Sequence, residues 1–366
     1  MEFIDLKSQQ ARIRDNLELR IKTVLDHGRY VMGPEVEELE ERLADYVDVK
    51  HCIGVASGTD SLLIALMGLG IGCGDEVITV PYTWISTAEM IALLGAKPVF
   101  VDIDKDSWNM DPSKLEAAIT PETKAIMPVG IYGQAADMTA INAIAEKHEL
   151  PVIEDAAQCF GATHHGKRSC GLSTIGSTSF FPSKPLGGYG EGGALFTDND
   201  ELAKRMRHIR NHGQEKKHHH PILGLNGRLD TIQAAVVLAK LDIFDDEIKR
   251  RQLVAAAYNS RLAHTNLKLP HVFEGNTSVY AQYTILSEHR DAVQQRLEDA
   301  DVPSVSYYAV PLHQQPVFEG LGYQSGNFPF TEHVASHGLS LPMNPYLSDT
   351  EITHVAQAVR TALNAA

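Results

Sequence analysis

The sequence predicts an α/β protein: a large domain built around a mostly parallel central sheet, followed by a smaller C-terminal α/β domain. Three observations carry this reading. Between about residue 50 and residue 200, short apolar runs alternate with segments of helical period, the pattern of a parallel sheet with both faces covered. From about residue 245 a long helix rich in Glu, Lys, Arg and Ala interrupts that alternation. Finally, 366 residues are too many for one simple domain.

The elements follow in order. Strands are expected at 76–80, 98–102, 125–129, 151–154, 177–181 and 194–197, each a short apolar run. Helices at 61–69 and 138–148 lie between them. The acidic run 35–41 (EVEELEE) reads as the solvated face of an amphipathic helix. The long helix spans 245–262 and bridges to a strand at 282–286, a helix at 291–300 and a closing helix at 349–364. The domain change is therefore placed at 245, giving 1–245 and 246–366.

Composition narrows the class. An apolar fraction of 43% with 22% charged residues describes a globular protein with a sizeable core, and the net charge of −15 argues against nonspecific binding to nucleic acid or anionic membranes. Cys52, Cys73, Cys159 and Cys170 form no CxxC pair and read as reduced thiols. No run approaches the length of a membrane span, and Met1–Leu6 has neither the basic nor the apolar part of a signal peptide. A cytoplasmic protein with no membrane or nucleic-acid partner is the expectation.

The chemistry centres on Lys184, in SFFPSKPLGG (179–188), and on Asp155, in the upstream strand end VIEDAAQ (152–158). A lysine that follows a strand, downstream of such an aspartate, is what pyridoxal 5'-phosphate (PLP) requires. The amine forms a Schiff base and the carboxylate keeps the pyridine nitrogen protonated. A phosphate cradle is offered by ASGTDSL (56–62), where Gly58 and Thr59 open a helix whose free N–H groups and dipole suit an anion. The bland reading of that segment is an ordinary N-cap. Ser179 can supply a further hydroxyl. Trp84, at the end of the 76–80 strand, can stack on the ring, and Gln158, one turn after Asp155, can reach the ring hydroxyl.

Other motifs are discounted. Gly188–Gly193 satisfies G-x-G-x-x-G but precedes a strand, so the dinucleotide context is missing. The run 161–167 resembles a P-loop, yet Arg168 stands where Ser or Thr must follow. His218, His219 and His220 are adjacent and cannot easily converge on one ion, so no metal site is expected.

Together with GRYVMGPEV (28–36), YGQ (132–134), PLH (311–313) and LSLPM (339–343), these blocks resemble the DegT/DnrJ/StrS-like family of PLP-dependent nucleotide-sugar aminotransferases along essentially the whole chain. The resemblance implies the aspartate-aminotransferase-like (type I PLP) fold and a homodimer with active sites at the subunit interface. By carry-over, Lys184 is the Schiff-base lysine and Asp155 the pyridinium partner. Trp84 is the stacking residue, Gln158 the ring-hydroxyl contact, and Gly58, Thr59 and Ser179 hold the phosphate. Asn226 reaches the phosphate from the other subunit.

Within the family, RSC (168–170), HGQ (212–214), NGRLDT (226–231) and VYAQYT (279–284) are similar to the group that aminates a UDP-linked 3-keto sugar uronate with L-glutamate, for O-antigen and other surface polysaccharide. The substrate-facing set is then Arg228, whose planar fork suits a carboxylate, with Tyr308 and His313. Tyr307 stands where many members carry histidine, and Ala309 where proline is usual. A non-catalytic protein that kept the fold is disfavoured by the intact lysine, aspartate and phosphate set. A sugar dehydratase of the same fold is disfavoured by Lys184, since those enzymes carry histidine there.

Overall fold

The computed structural model describes residues 1–364. Two helices open the chain. Helix α1 (Leu6–His27) starts at Asp5, whose carboxylate accepts from the Ser8 N–H, and ends at Gly28 with φ +70°. Helix α2 (Pro34–Val47) starts after Gly33, where proline at the first turn costs no hydrogen bond. It buries Val36, Leu39, Leu43 and Val47. The acidic run is not simply a solvated face. Glu35 is buried beside His27 (Nε2–Oε1 3.1 Å), and Glu40 accepts from the Gly54 N–H at 2.8 Å and pairs with Arg210. Those carboxylates are turned inward by partners that lie on other segments, His27 and the Gly54 N–H with Arg210.

Strands and helices then alternate: β1 (His51–Val55), α3 (Gly58–Leu69), β2 (Glu76–Thr79), α4 (Ser86–Leu93), β3 (Lys97–Phe100), the single-turn α5 (Pro112–Leu115), β4 (Thr123–Ile126), α6 (Met138–Lys147) and β5 (Ile153–Asp155). A two-residue hairpin, β6 (Thr163–His164) and β7 (Lys167–Arg168), precedes β8 (Ile175–Ser179), β9 (Gly193–Thr197), α7 (Asp200–Arg210) and α8 (Thr231–Leu241). The C-terminal part holds α9 (Phe244–Leu262), β10 (Tyr283–Leu286), α10 (Arg290–Asp299), α11 (Pro329–His337), β11 (Gly338–Leu341) and α12 (Asp349–Asn364).

A parallel group β3-β2-β4 and a group β1-β9-β8-β5 form the large sheet. They meet where β4 and β5 bridge in parallel, at Ile126–Val152 and Val129–Asp155. Strand β9 runs against both β8 and β1; β5 and β8 are parallel. One face buries Ile53, Val77, Ala125, Ile153, Ile175 and Leu195 under α3, α4 and α7. The other buries Ile78, Ile126, Val152, Ala194 and Phe196 together with residues of α2, α6 and α8. Helices therefore cover both faces, and the exposed rim available for chemistry is the one beyond the strands' carboxyl ends.

The antiparallel pair β10-β11 has its own core with α9, α10 and α12. Helix α9 belongs to both cores: Phe244 and Ile248 pack in the large one, Val254 to Leu262 in the small one. Strands β1 and β11 were not among the expected strands. No helix of the described residues is long and apolar enough to cross a membrane.

Candidate active site

Several segments converge at that rim. The β1–α3 turn brings Ser57, which caps α3 by accepting from the Asp60 N–H at 3.0 Å. The N-cap reading is thus right as far as it goes. Gly58 adds something a cap does not require. A Cβ at this position would lie 2.5 Å from the Ser179 Cβ and 2.9 Å from its Oγ. The start of α3 and the end of β8 therefore pack backbone to backbone, which only glycine permits. Thr59 Oγ1 lies 3.0 Å from the Ser86 hydroxyl, so Thr59, Ser86 and Ser179 set hydroxyls around the helix N-terminus. Free N–H groups, helix dipole and hydroxyls together fit a phosphate.

Asp155 ends β5 with its carboxylate buried. It accepts from Thr87 Oγ1 at 2.9 Å and from the Ala157 N–H at 3.1 Å. Burial pushes this carboxyl above its ordinary range, while Ala157, Thr87 and the charge of Lys184 act the other way. Lys184 follows β8 in a turn closed by its own N–H on the Phe181 carbonyl at 2.9 Å. Burial lowers its amine's affinity for a proton, opposed by Asp155. A lysine near a carboxylate, yet biased toward the free amine, is suited to nucleophilic work. A cationic ring N–H beside Asp155 would in turn favour the ionised carboxylate, so the donor set fits a protonated pyridine.

Gln158 is clamped at both ends: Oε1 accepts from the Tyr132 N–H at 3.0 Å and Nε2 donates to the Tyr308 hydroxyl at 3.2 Å. Trp84 is 57% exposed and lies against Tyr308, ring centroids 6.1 Å apart. The structure thus brings Gly58, Thr59 and Ser179 together, couples Asp155 with Lys184, and sets Trp84, Gln158 and Tyr308 side by side.

It does not bring in Asn226, Arg228 or His313. Asn226 is exposed, on a segment whose Gly227 carbonyl accepts from the Ala56 N–H at 2.9 Å. Arg228 donates to Asn211 Oδ1 at 2.8 Å. Neither side chain hydrogen-bonds to Asp155, Lys184 or Ser179 among the described residues. His313 is buried against Phe328, with Nε2 3.1 Å from Glu332 Oε1. Sequence reasoning missed Thr87, Ser86, Tyr82 and Tyr132. Thr87 and Ser86 stood in view as hydroxyls within one turn of Trp84.

The discounted motifs take ordinary places. Gly193 opens β9, and the stretch 163–168 is the β6-β7 hairpin. His219 Nδ1 lies 3.3 Å from Glu215, and His220 Nδ1 lies 2.9 Å from the His212 carbonyl. Among the described residues no group of three or more His, Cys, Asp or Glu is placed to hold a metal ion.

Comparison with known proteins identifies the family. The model of the DegT/DnrJ/EryC1/StrS aminotransferase family matches residues 11–360. A UDP-2-acetamido-2-deoxy-3-oxo-D-glucuronate aminotransferase from Pseudomonas aeruginosa is 54% identical, over 98% of this chain and 99% of that protein. Among solved structures, a DegT DnrJ EryC1 StrS aminotransferase from Brucella abortus superposes with TM-score 0.96 at 44% identity, covering 99% of each chain. NtdA from Bacillus subtilis, with bound cofactor PMP, superposes with TM-score 0.91 at 32% identity, covering 99% of this chain and 83% of its own. The chain belongs to the DegT/DnrJ/EryC1/StrS aminotransferase family and is a pyridoxal-phosphate-dependent enzyme of the type I fold.

Proposed function

We propose that this enzyme moves the amino group of L-glutamate onto a UDP-linked keto sugar, UDP-2-acetamido-2-deoxy-3-oxo-D-glucuronate, giving the 3-amino sugar for O-antigen or related surface polysaccharide. The observation that carries the chemistry is the partly desolvated Lys184 amine coupled to the buried Asp155 carboxylate, at the rim where Gly58 meets Ser179. The sugar is argued from the 54% identical Pseudomonas aeruginosa relative.

When bound, the cofactor supplies an aldehyde to take up the amino group and a ring to disperse negative charge. In this reading the Gly58 and Thr59 N–H groups and the hydroxyls of Thr59 and Ser179 hold its phosphate. Asp155, itself held by Thr87 and Ala157, keeps a proton on the ring nitrogen. Trp84 covers a ring face and Gln158 meets the ring hydroxyl. Lys184 Nζ takes the proton from the donor's α carbon, and in the second half-reaction delivers one to the sugar carbon that becomes C–NH2. The chain acts as a homodimer with shared sites, so that exposed Asn226 and half-buried Arg228 serve the neighbouring protomer's site, Asn226 on phosphate and Arg228 on a carboxylate. Tyr308 completes the substrate-facing set, whereas His313 is buried on Glu332 and does not reach it.

The test is an absorbance spectrum of the purified enzyme before and after L-glutamate, then with a panel of UDP keto sugars. A cofactor band that glutamate converts, and that the 3-keto uronate restores, supports the reading. Restoration by a 4-keto sugar alone removes the substrate assignment, and a protein that takes up no cofactor removes the reading altogether. Lys184→Ala should abolish transamination while the fold persists; turnover retained in that variant removes Lys184 from its role.

A further inference from the structure

Two buried phenols outside the cofactor set share one carbonyl. Tyr82 follows β2 and Tyr132 follows β4, so they come from separate strand-end segments of the large sheet. Their hydroxyls lie 2.6 Å apart. Tyr82 Oη is 2.5 Å from the Tyr307 carbonyl oxygen, and Tyr132 Oη also contacts that oxygen. Three oxygen–oxygen contacts thus share two protons, a compact set that tolerates little displacement. Tyr82 and Tyr132 are 1% and 6% exposed. Burial holds both phenols well above their ordinary range, so they remain O–H donors throughout the working pH range.

The carbonyl they grip lies on a crossing segment. Val305 pairs with Ser340 of β11 in the small core (N–O 2.8 and 3.1 Å), and Leu312 N–H donates to the Pro81 carbonyl at 2.8 Å. Between these anchors stands Tyr308, whose ring lies 6.3 Å from Tyr82 and 6.1 Å from Trp84 and whose hydroxyl accepts from Gln158. The half-buried Tyr307 phenol has no hydrogen-bond partner among the described residues.

We infer that Tyr82 and Tyr132 are positioning residues for the acceptor half-reaction: their phenols latch the Tyr307 carbonyl and thereby place Tyr307 and Tyr308 for the nucleotide sugar. This rests on the proposed function insofar as the acceptor is a nucleotide sugar. The aromatic face of Tyr308 and the partnerless Tyr307 phenol suit a ring-bearing, hydroxyl-rich ligand more than the short glutamate chain. The latch makes the site depend on the small core keeping its place against the large sheet.

The experiment compares Tyr82→Phe, Tyr132→Phe and the double variant as holoenzymes. Each single change leaves one donor on the Tyr307 carbonyl, while the double change leaves none. The expected result is a rise in KM for the keto sugar of about fivefold in each single variant, one net hydrogen bond's worth. The double variant should lose more than the product of the singles, because the two phenols act on one atom. The rate of the glutamate half-reaction, read from the cofactor band, should fall less than that of the keto-sugar half-reaction, since the phenols of this latch touch neither Asp155 nor Lys184 and reach Gln158 only through Tyr308. An unchanged KM in the double variant overturns the latch, and so do equal losses in both half-reactions. If the double variant is not recovered folded, unchanged KM in both single variants overturns it equally. Thermal unfolding without substrate gives an independent reading: a double loss in Tm larger than the sum of the singles supports the shared carbonyl, and an additive loss removes it. A wild-type enzyme inert toward every keto sugar would sink the substrate assignment, and the unfolding cycle would then decide the latch alone.

Discussion

Thr87→Val isolates the support of Asp155 without touching the carboxylate. Thr87 Oγ1 donates to Asp155 Oδ2 at 2.9 Å in a buried setting, and Thr87 itself is 1% exposed. Valine keeps the shape and removes the donor. A hydrogen bond to a charged group contributes about 1.5–3 kcal/mol, so its loss raises the carboxyl's pKa. Burial already pushes Asp155 upward, with the Ala157 N–H and Lys184 left to oppose it. A carboxyl raised in pKa is half-ionised at a higher pH, so the variant holds the neutral acid where the wild type holds the carboxylate. In the proposed role, only the carboxylate keeps a proton on the ring nitrogen. The affinity for PLP should therefore fall by about tenfold to a hundredfold at low pH and recover as the pH rises. Cofactor titrations followed by absorbance across about pH 6–9 check this. Equal affinity for the two proteins over that whole range would refute the argument, and a deficit that does not shrink with pH would assign Thr87 a packing role instead.

Three further predictions use other parts of the site. Gly58→Ala sets a Cβ 2.5 Å from the Ser179 Cβ, a neighbour that cannot swing away, so α3 and β8 must separate and cofactor affinity should fall at least about tenfold; cofactor retained through gel filtration as in the wild type would contradict the close approach. Glu154, also in β5, has one carboxylate oxygen with no partner while the other accepts from the Cys170 N–H, and burial pushes its pKa up to about 8 from 4.5. Its contribution to stability is full below about 4.5 and is lost as the pH rises toward 8, at up to about 1.4 kcal/mol per pH unit; Glu154→Gln should flatten the decline of Tm between about pH 5 and 8, and two parallel curves would dismiss the idea. Arg228→Ala should cut turnover of a keto-sugar uronate about tenfold or more beyond that of a neutral keto sugar, as the loss of a charge-assisted pair implies; equal losses on both place Arg228 elsewhere in the mechanism.

How much of this was legible in the chain depends on what each feature needs to be recognised. Strand β8 (IGSTS) lies two residues before the expected 177–181, whereas strands β2, β3, β4, β5 and β9 announce themselves as apolar runs between turn residues. Strand β1 (HCIGV) and β11 (GLSL) do not, because each is short and diluted by His, Gly or Ser. They become strands through antiparallel partners, β9 and β10, supplied from elsewhere in the chain. Lys184 and Asp155 stand out in the sequence because the proposed chemistry asks for those residue types after strands. The residues that hold them in place obey no such demand. Thr87 meets Asp155 across 68 positions, and Tyr82 and Tyr132 meet Tyr307 across 225 and 175. A buried threonine or tyrosine reads as core in a linear sequence, and its polar end takes on meaning only when the fold supplies the acceptor. The same holds for Glu35 and Glu40, which look solvated until His27 and Arg210 are brought against them. Residues named by the reaction can therefore be read in advance, whereas those that tune or position them depend on long-range pairing and come into view with the fold. That division is also why the Asp155 support and the Tyr82–Tyr132 latch are better places to test this site than the lysine alone.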